Sequence, residues 1–149
     1  MNIVKVNPIK FAQVVFDIVK QSFNRSFDSC PKSVDEVIEY IRDSEVYMLE
    51  DKGSYVGYFV LKKEKNNIFE LKSIAVPDKY QGKGYGSLLM KKVLDLTKGH
   101  GVHFVTHPKN ISGLFLYLKN GFEITGWIDN YYGDGQPRLK LEKVIGEES

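Results

Sequence analysis

The chain has 149 residues, of which 42% are hydrophobic and 27% charged, and its formal net charge is +2. That length suits one domain, 1–149, with little room for a second, and the balance is that of an ordered soluble protein. So small a charge gives no reason to expect nucleic acid or an anionic membrane surface as a partner.

Asn2 to Val6 alternates as a short strand, and Asn7-Pro8 reads as a helix N-cap followed by proline. Phe11, Val14, Val15, Ile18 and Val19 recur at helical spacing. Ser33 to Glu36 has the form of a capping box, opening a short amphipathic helix through Val37, Ile38 and Ile41. The period then changes to two. Val46 to Glu50, Tyr55 to Lys63 and Ile68 to Val76 read as an antiparallel meander, turned at Asp51-Lys52-Gly53 and Asn66-Asn67. Pro77 ends it. After a glycine-rich turn, Tyr85, Leu88, Leu89, Val93 and Leu96 mark one face of a helix that stops at Gly99. Val102 to His107 is the next strand, which makes a βαβ crossover between parallel strands. A helix over Asn110 to Asn120 stops at Gly121. Phe122 to Ile128 and Leu139 to Val144 form a final hairpin, with a frayed tail from Gly146 to Ser149. The fold class is α/β with a mixed central sheet flanked by helices.

The turn Gln81-Gly82-Lys83-Gly84-Tyr85-Gly86-Ser87 holds three glycines in five residues. Glycine removes the Cβ atoms that keep a ligand off the backbone, and the first-turn N–H groups with the helix dipole make an anion site. Lys83 adds a cation at the rim. No Walker string is present. A dinucleotide fingerprint fails, with Ser87 or Leu89 at the third glycine position and Phe104 where an acid is needed. A tight turn that is merely glycine-rich stays open from these residues alone. Downstream, Asn110, Gly113 and Tyr117 share one helical stripe, since spacings of three and seven return to nearly the same face. Asn110 as a plain N-cap and Tyr117 as a core residue are the simpler alternatives.

The segment Gln81, Gly84, Gly86, preceded by Ile74-Ala75-Val76-Pro77, resembles the first signature of the GNAT superfamily of N-acetyltransferases. Asn110, Gly113, Tyr117 and Gly121-Phe122 resemble the second, with Gly113 where alanine is commoner. The resemblance implies an acyltransferase moving the acetyl group of acetyl-CoA to an amine by direct attack, with no covalent enzyme intermediate. It implies that Gln81 to Ser87 hold the CoA pyrophosphate and that the backbone of Ile74, Ala75 and Val76 pairs with the pantetheine arm. An N–H near Val76 serves the oxyanion, Tyr117 protonates the departing sulfur, and Glu70 acts as general base through water. His107 competes with Glu70 for that role. A non-catalytic acyl-CoA-binding module on the same fold is the alternative.

The acceptor is less defined. Tyr131-Tyr132 before Gly133-Asp134-Gly135 resembles the tail hairpin of protein N-terminal acetyltransferases, although Pro137-Arg138 replaces that group's Asp-Ala. A peptide N-terminus and a small-molecule amine both stay open, with Phe23, Phe27, Tyr40, Tyr131, Tyr132 and His107 as candidate contacts. The lone Cys30 excludes an internal disulfide and a cysteine-based zinc site, and fits a reducing compartment. The three histidines lack metal-ligand spacing. Met1 to Lys10 lacks a secretory layout, and no apolar run reaches the roughly 20 residues that span a bilayer. A cytoplasmic location is expected. The oligomeric state is open, a homodimer among the options.

Overall fold

The hairpin signals set the architecture. In the computed structural model, which describes residues 1–23 and 25–143, the strands are β1 (Asn2–Val6), β2 (Glu45–Asp51), β3 (Ser54–Glu64), β4 (Ile68–Ala75), β5 (Gly101–Thr106), β6 (Glu123–Ile128) and β7 (Arg138–Lys143). The helices are α1 (Ala12–Ser22), α2 (Val34–Ile41), α3 (Tyr85–Leu96) and α4 (Ile111–Lys119). Lys52 and Gly53 both take positive φ and Asp51 pairs with Ser54 across them, the geometry of a two-residue type I′ hairpin. The strands line up as β1-β2-β3-β4-β5-β7-β6. Neighbours are antiparallel except β4 and β5, which α3 joins as a crossover. This is the mixed sheet that the sequence pattern predicts.

Successive side chains of β2 and β3 go to opposite layers, so both strands are apolar almost throughout. Val46, Met48, Tyr58 and Val60 pack with Val15 and Ile41 under α1 and α2. Leu49, Phe59 and Leu61 pack with Leu89, Val93 and Tyr117 under α3 and α4. Among the described residues, no helix is long and apolar enough to cross a membrane.

One irregularity positions the site. Val60 pairs with Ser73, but Leu61 pairs with Leu71, so Lys72 is the extra residue of a β-bulge. A bulge bends its strand. The parallel pairing of β4 with β5 covers only Ile68↔Gly101, Phe69↔Val102 and Glu70↔His103. Beyond Glu70 the two strands part, although β4 runs on to Ala75 and β5 to Thr106. The sheet therefore opens like a V with Glu70 and His103 at its apex.

Several boundaries differ from the sequence pattern. Regular helix α1 begins at Ala12, not at Pro8. Asn7 Oδ1 instead accepts from the N–H groups of Ile9 and Lys10, each at 3.0 Å, and caps a separate turn. Ser33 caps α2 as expected, but Glu36 reaches back to the Lys32 N–H at 2.8 Å, one residue outside the capping box. On α3, Leu88 is exposed and Met90 is buried. Phe122 precedes β6. Its N–H bonds the Tyr117 carbonyl behind Gly121, whose φ of 92° supplies the left-handed residue at the end of α4. The expected strand end at Val144 and the tail Gly146 to Ser149 lie outside the described residues.

Candidate active site

The glycine turn takes its shape from backbone conformation. Gly82 and Gly84 sit at φ of 80° and 84°, and a Cβ at either would meet nothing within 4 Å. Glycine is needed there for its left-handed backbone, and the space beside it is open. Gly84 is the N-cap of α3, so the N–H groups of Tyr85, Gly86 and Ser87 have no carbonyl one turn earlier to bond. Gln81 Nε2 donates to the Val76 carbonyl at 3.0 Å and to Asp78 at 3.2 Å, which ties the turn to the end of β4. Gly57 completes the approach from β3. A Cβ there would stand 3.0 Å from the Ala75 carbonyl and 2.9 Å from Leu89 Cδ1.

A groove of about 280 Å³ runs along this turn, lined by Ile74, Ala75 and Val76, by Gln81, Gly82, Gly84, Gly86 and Ser87, and by Asn110, Gly113 and Tyr117 of the second stripe. The two stretches, some 30 residues apart in sequence, thus face one space. Lys83 and Tyr85 do not line it. Lys83 is exposed, and the Tyr85 hydroxyl donates to Asp51 Oδ2 at 2.6 Å, anchoring α3 to the β2–β3 hairpin.

Asn110 caps α4. Its Oδ1 accepts from the Gly113 N–H at 3.3 Å, and its Nδ2 donates to Thr106 Oγ1 at 2.9 Å. A Cβ on Gly113 would fall within 2.2 Å of Asn110 Nδ2. The space beside this glycine is therefore taken by the capping side chain itself, and an alanine there would have to displace Asn110 Nδ2. Tyr117 is 7% exposed. Burial pushes its hydroxyl up to about 12, with the Arg25 cation pulling the other way, and no hydrogen bond from the described residues contributes.

A second cavity, of about 360 Å³, fills the V between β4 and β5. Leu71 to Ile74 form one wall and Phe104 to His107 the other, with Tyr40 and Tyr132 above. Ile74, Asn110, Tyr117, Phe23 and Arg25 line both spaces. Tyr117 therefore stands at their junction. Glu70 is half-buried at the apex and outside the cavity wall, but its charge raises the pKa of Tyr131 and contributes to the rise at Tyr132, in each case after burial.

The expected acceptor contacts divide. Tyr132 and His107 line the cavity; Tyr131 and Phe27 stand behind them. Tyr131 meets Tyr132 edge-on at 4.7 Å, and Phe27 lies 4.5 Å from the His107 ring. His107 Nδ1 accepts from the Lys109 N–H at 3.0 Å, so its proton sits on Nε2, which bonds Gln136 Oε1 at 2.9 Å. Both ring nitrogens are engaged. Sequence reasoning gave no site role to five charged residues of the wall: Arg25, Asp28, Glu36, Lys72 and Arg138. Arg25 and Asp28 form a bidentate pair at 2.8 and 3.0 Å, and Arg25 also reaches Asn110 at 3.3 Å. Only the Arg-x-x-Asp spacing hinted at this pair. Lys72 Nζ donates to the Tyr40 carbonyl and lies 4.1 Å over the Tyr40 ring.

The sequence profile of the Acetyltransferase (GNAT) family matches residues 12–122, well over half of the chain. The chain belongs to that family. A segment of 78 residues is 32% identical to the N-alpha-acetyltransferase RimI of Mycobacterium tuberculosis, covering 52% of this chain and 49% of that protein. Shared segments span 49 to 61% of the length of the curated relatives that the chain matches. Two solved GNAT folds superpose closely. The ribosomal-protein-S18-alanine N-acetyltransferase of Escherichia coli has a TM-score of 0.80 at 18% identity, over 99% of this chain and 97% of the other. A GNAT acetyltransferase of Elizabethkingia anophelis with acetyl-CoA bound has a TM-score of 0.74 at 21% identity, over 97% of both chains.

Proposed function

We propose that this GNAT protein is an acetyl-CoA-dependent N-acetyltransferase of the cytoplasm, its donor groove and acceptor cavity carried by one domain. The observation that carries the reading is the position of Tyr117 at the meeting point of the two spaces. The groove suits coenzyme A in three respects. The N–H groups opening α3 and the bare Gly82 and Gly84 accept a pyrophosphate. The edge of β4 facing β5 is unpaired beyond Glu70 among the described residues, so its backbone around Ile74 to Val76 can take up an extended amide-bearing arm as an added strand. The groove ends at Tyr117. A related protein of the same fold has acetyl-CoA bound.

Bound there, acetyl-CoA supplies an acetyl group activated as a thioester. The amine must arrive neutral, so a base has to remove its proton. Glu70, at the apex of the V, takes that proton through water. His107 is the poorer base because both of its nitrogens already bond protein atoms. The Val76 N–H stabilises negative charge on the carbonyl oxygen. Tyr117 donates its proton to the sulfur as the carbon–sulfur bond breaks, and the tyrosinate takes up the proton that the nitrogen sheds on becoming an amide, leaving an amide, a free thiol and neutral Tyr117. Lys83 and Tyr85 act from outside the groove, Lys83 by charge and Tyr85 by fixing α3. The acceptor is a peptide N-terminus or a small amine entering past Tyr132.

The test is a melting titration with acetyl-CoA, ATP and NAD, followed by thiol release from acetyl-CoA across amines and short peptides. Acetyl-CoA alone should stabilise the protein, by about 2.7 kcal/mol at a hundred times its Kd. No saturable effect of acetyl-CoA would refute the reading.

A further inference from the structure

We propose that the acceptor carries an anionic group, typically a carboxylate, close to the amine, and that Arg138 selects it. This rests on the acyl-transfer reading of the cavity between β4 and β5. Arg138 opens β7 and forms part of that cavity's wall. Its side chain is only 4% exposed. A guanidinium has five N–H donors. Three contacts are made: Nη1 to the Pro137 carbonyl at 3.0 Å, and Nη2 to the Phe27 carbonyl and to Asp134 Oδ2, both at 3.4 Å. Two donors have no partner among the described residues. The one carboxylate contact is single and long, and Asp134 lies on the more exposed side.

A buried cation so lightly paired is costly unless something completes it. The other charged groups of the cavity are engaged. Asp28 holds Arg25 in a bidentate pair, Glu36 accepts from the Lys32 N–H, and Lys72 donates to the Tyr40 carbonyl, its pKa pulled down by burial ahead of the opposing charge of Glu70, which raises it. Tyr132 keeps Arg138 in place, with the guanidinium 5.0 Å over its ring. The cavity reaches from Tyr117, where the amine must arrive, to Arg138. A carboxylate can accept from either of the open N–H groups at charge-assisted strength. An amine lacking the anion would leave them unfilled.

The experiment uses matched pairs of probes: alanine and alaninamide, β-alanine and β-alaninamide, γ-aminobutyrate and γ-aminobutyramide. Binding to the complex with CoA is measured by calorimetry, and transfer from acetyl-CoA by thiol release, for the wild type, Arg138→Gln and Arg138→Lys. Dividing the preference ratio of each variant by that of the wild type cancels the different basicity of the paired amines. At least one carboxylate should bind about tenfold or more better than its amide in the wild type. The preference should collapse in Arg138→Gln and return in part in Arg138→Lys. Unchanged acetyl-CoA affinity shows that a variant is folded. The proposal is overturned if no pair is distinguished, or if Arg138→Gln keeps the wild-type preference. Selective binding without transfer would instead refute the acetyltransferase reading while leaving the anion site standing.

Discussion

Replacing Tyr117 by phenylalanine isolates one proton. The side chain is 7% exposed and its ring packs edge-on against Phe104 at 4.7 Å, a contact that phenylalanine keeps. Because no hydrogen bond from the described residues holds the hydroxyl, its loss should change stability by less than about 1 kcal/mol. The catalytic cost can be sized. The hydroxyl sits at about 12. A thiol ionises near 8.5, so handing the proton completely to a free thiolate would be uphill by about 5 kcal/mol. In the proposed mechanism Tyr117 would therefore help by a strong partial transfer while the bond breaks. That argues for the lower end of general-acid effects, about a hundredfold in kcat or roughly 3 kcal/mol. The sign of the pH dependence follows. A tyrosine donates only while protonated, below its pKa, so its ionisation removes activity only as pH approaches 12. Any alkaline limb at lower pH belongs to another group. The assay is thiol release at saturating acetyl-CoA and amine, repeated with an acetyl thioester of a more acidic thiol. With that donor the phenylalanine penalty should shrink below about threefold, because the leaving group no longer needs help. A kcat near wild type with acetyl-CoA, or equal penalties with both thioesters, would refute the role.

Further outcomes follow from the same geometry. Gly57→Ala should cost about 1–3 kcal/mol in urea unfolding, because its Cβ meets the Ala75 carbonyl at 3.0 Å and Leu89 at 2.9 Å; an unchanged midpoint would show that β3 and α3 yield more easily than argued. Gly84→Ala meets no atom but forces a side chain to φ of 84°, so it should cost about 1–2 kcal/mol and weaken acetyl-CoA binding by calorimetry, with Gly84→Asn recovering part of both. Glu70→Gln should lower kcat by about a hundredfold while His107→Gln leaves it nearly intact. Loss in the histidine variant alone would reverse the assignment of the base.

The glycine-turn side of the candidate site was legible because it is local. Seven consecutive residues from Gln81 to Ser87 fix a backbone whose left-handed positions only glycine adopts freely, so the sequence carries the shape directly. The same holds for Ser33, Gly53 and Gly121, each of which acts within a few residues of its own position. Where locality failed, so did the pattern. Asn7-Pro8 has the chemistry of a cap, and it does cap, but the turn it starts ends before α1 begins. Leu88 lies at helical spacing and is exposed, because the cover it needs depends on where α4 and β3 lie.

The acceptor side draws on residues more than a hundred positions apart, such as Arg25 and Arg138, and no spacing rule joins them. One trace of it was nevertheless present. Phe69 and Leu71 keep a period of two, and the next apolar residues on that face are Ile74 and Val76, a slip of one. A slip in phase within a strand marks a bulge. The bulge at Lys72 bends β4 away from β5 just past Glu70, and that divergence does two things at once. It frees a strand edge for an extended donor, and it opens the space in which an acceptor can reach the same carbon. The groove and the cavity, the proposed donor and acceptor sites, are thus two consequences of a single extra residue. Deleting Lys72 should accordingly impair acetyl-CoA affinity and acceptor affinity together, a coupling that calorimetry with each ligand separately would measure. Loss of one without the other would separate the bulge from the opening.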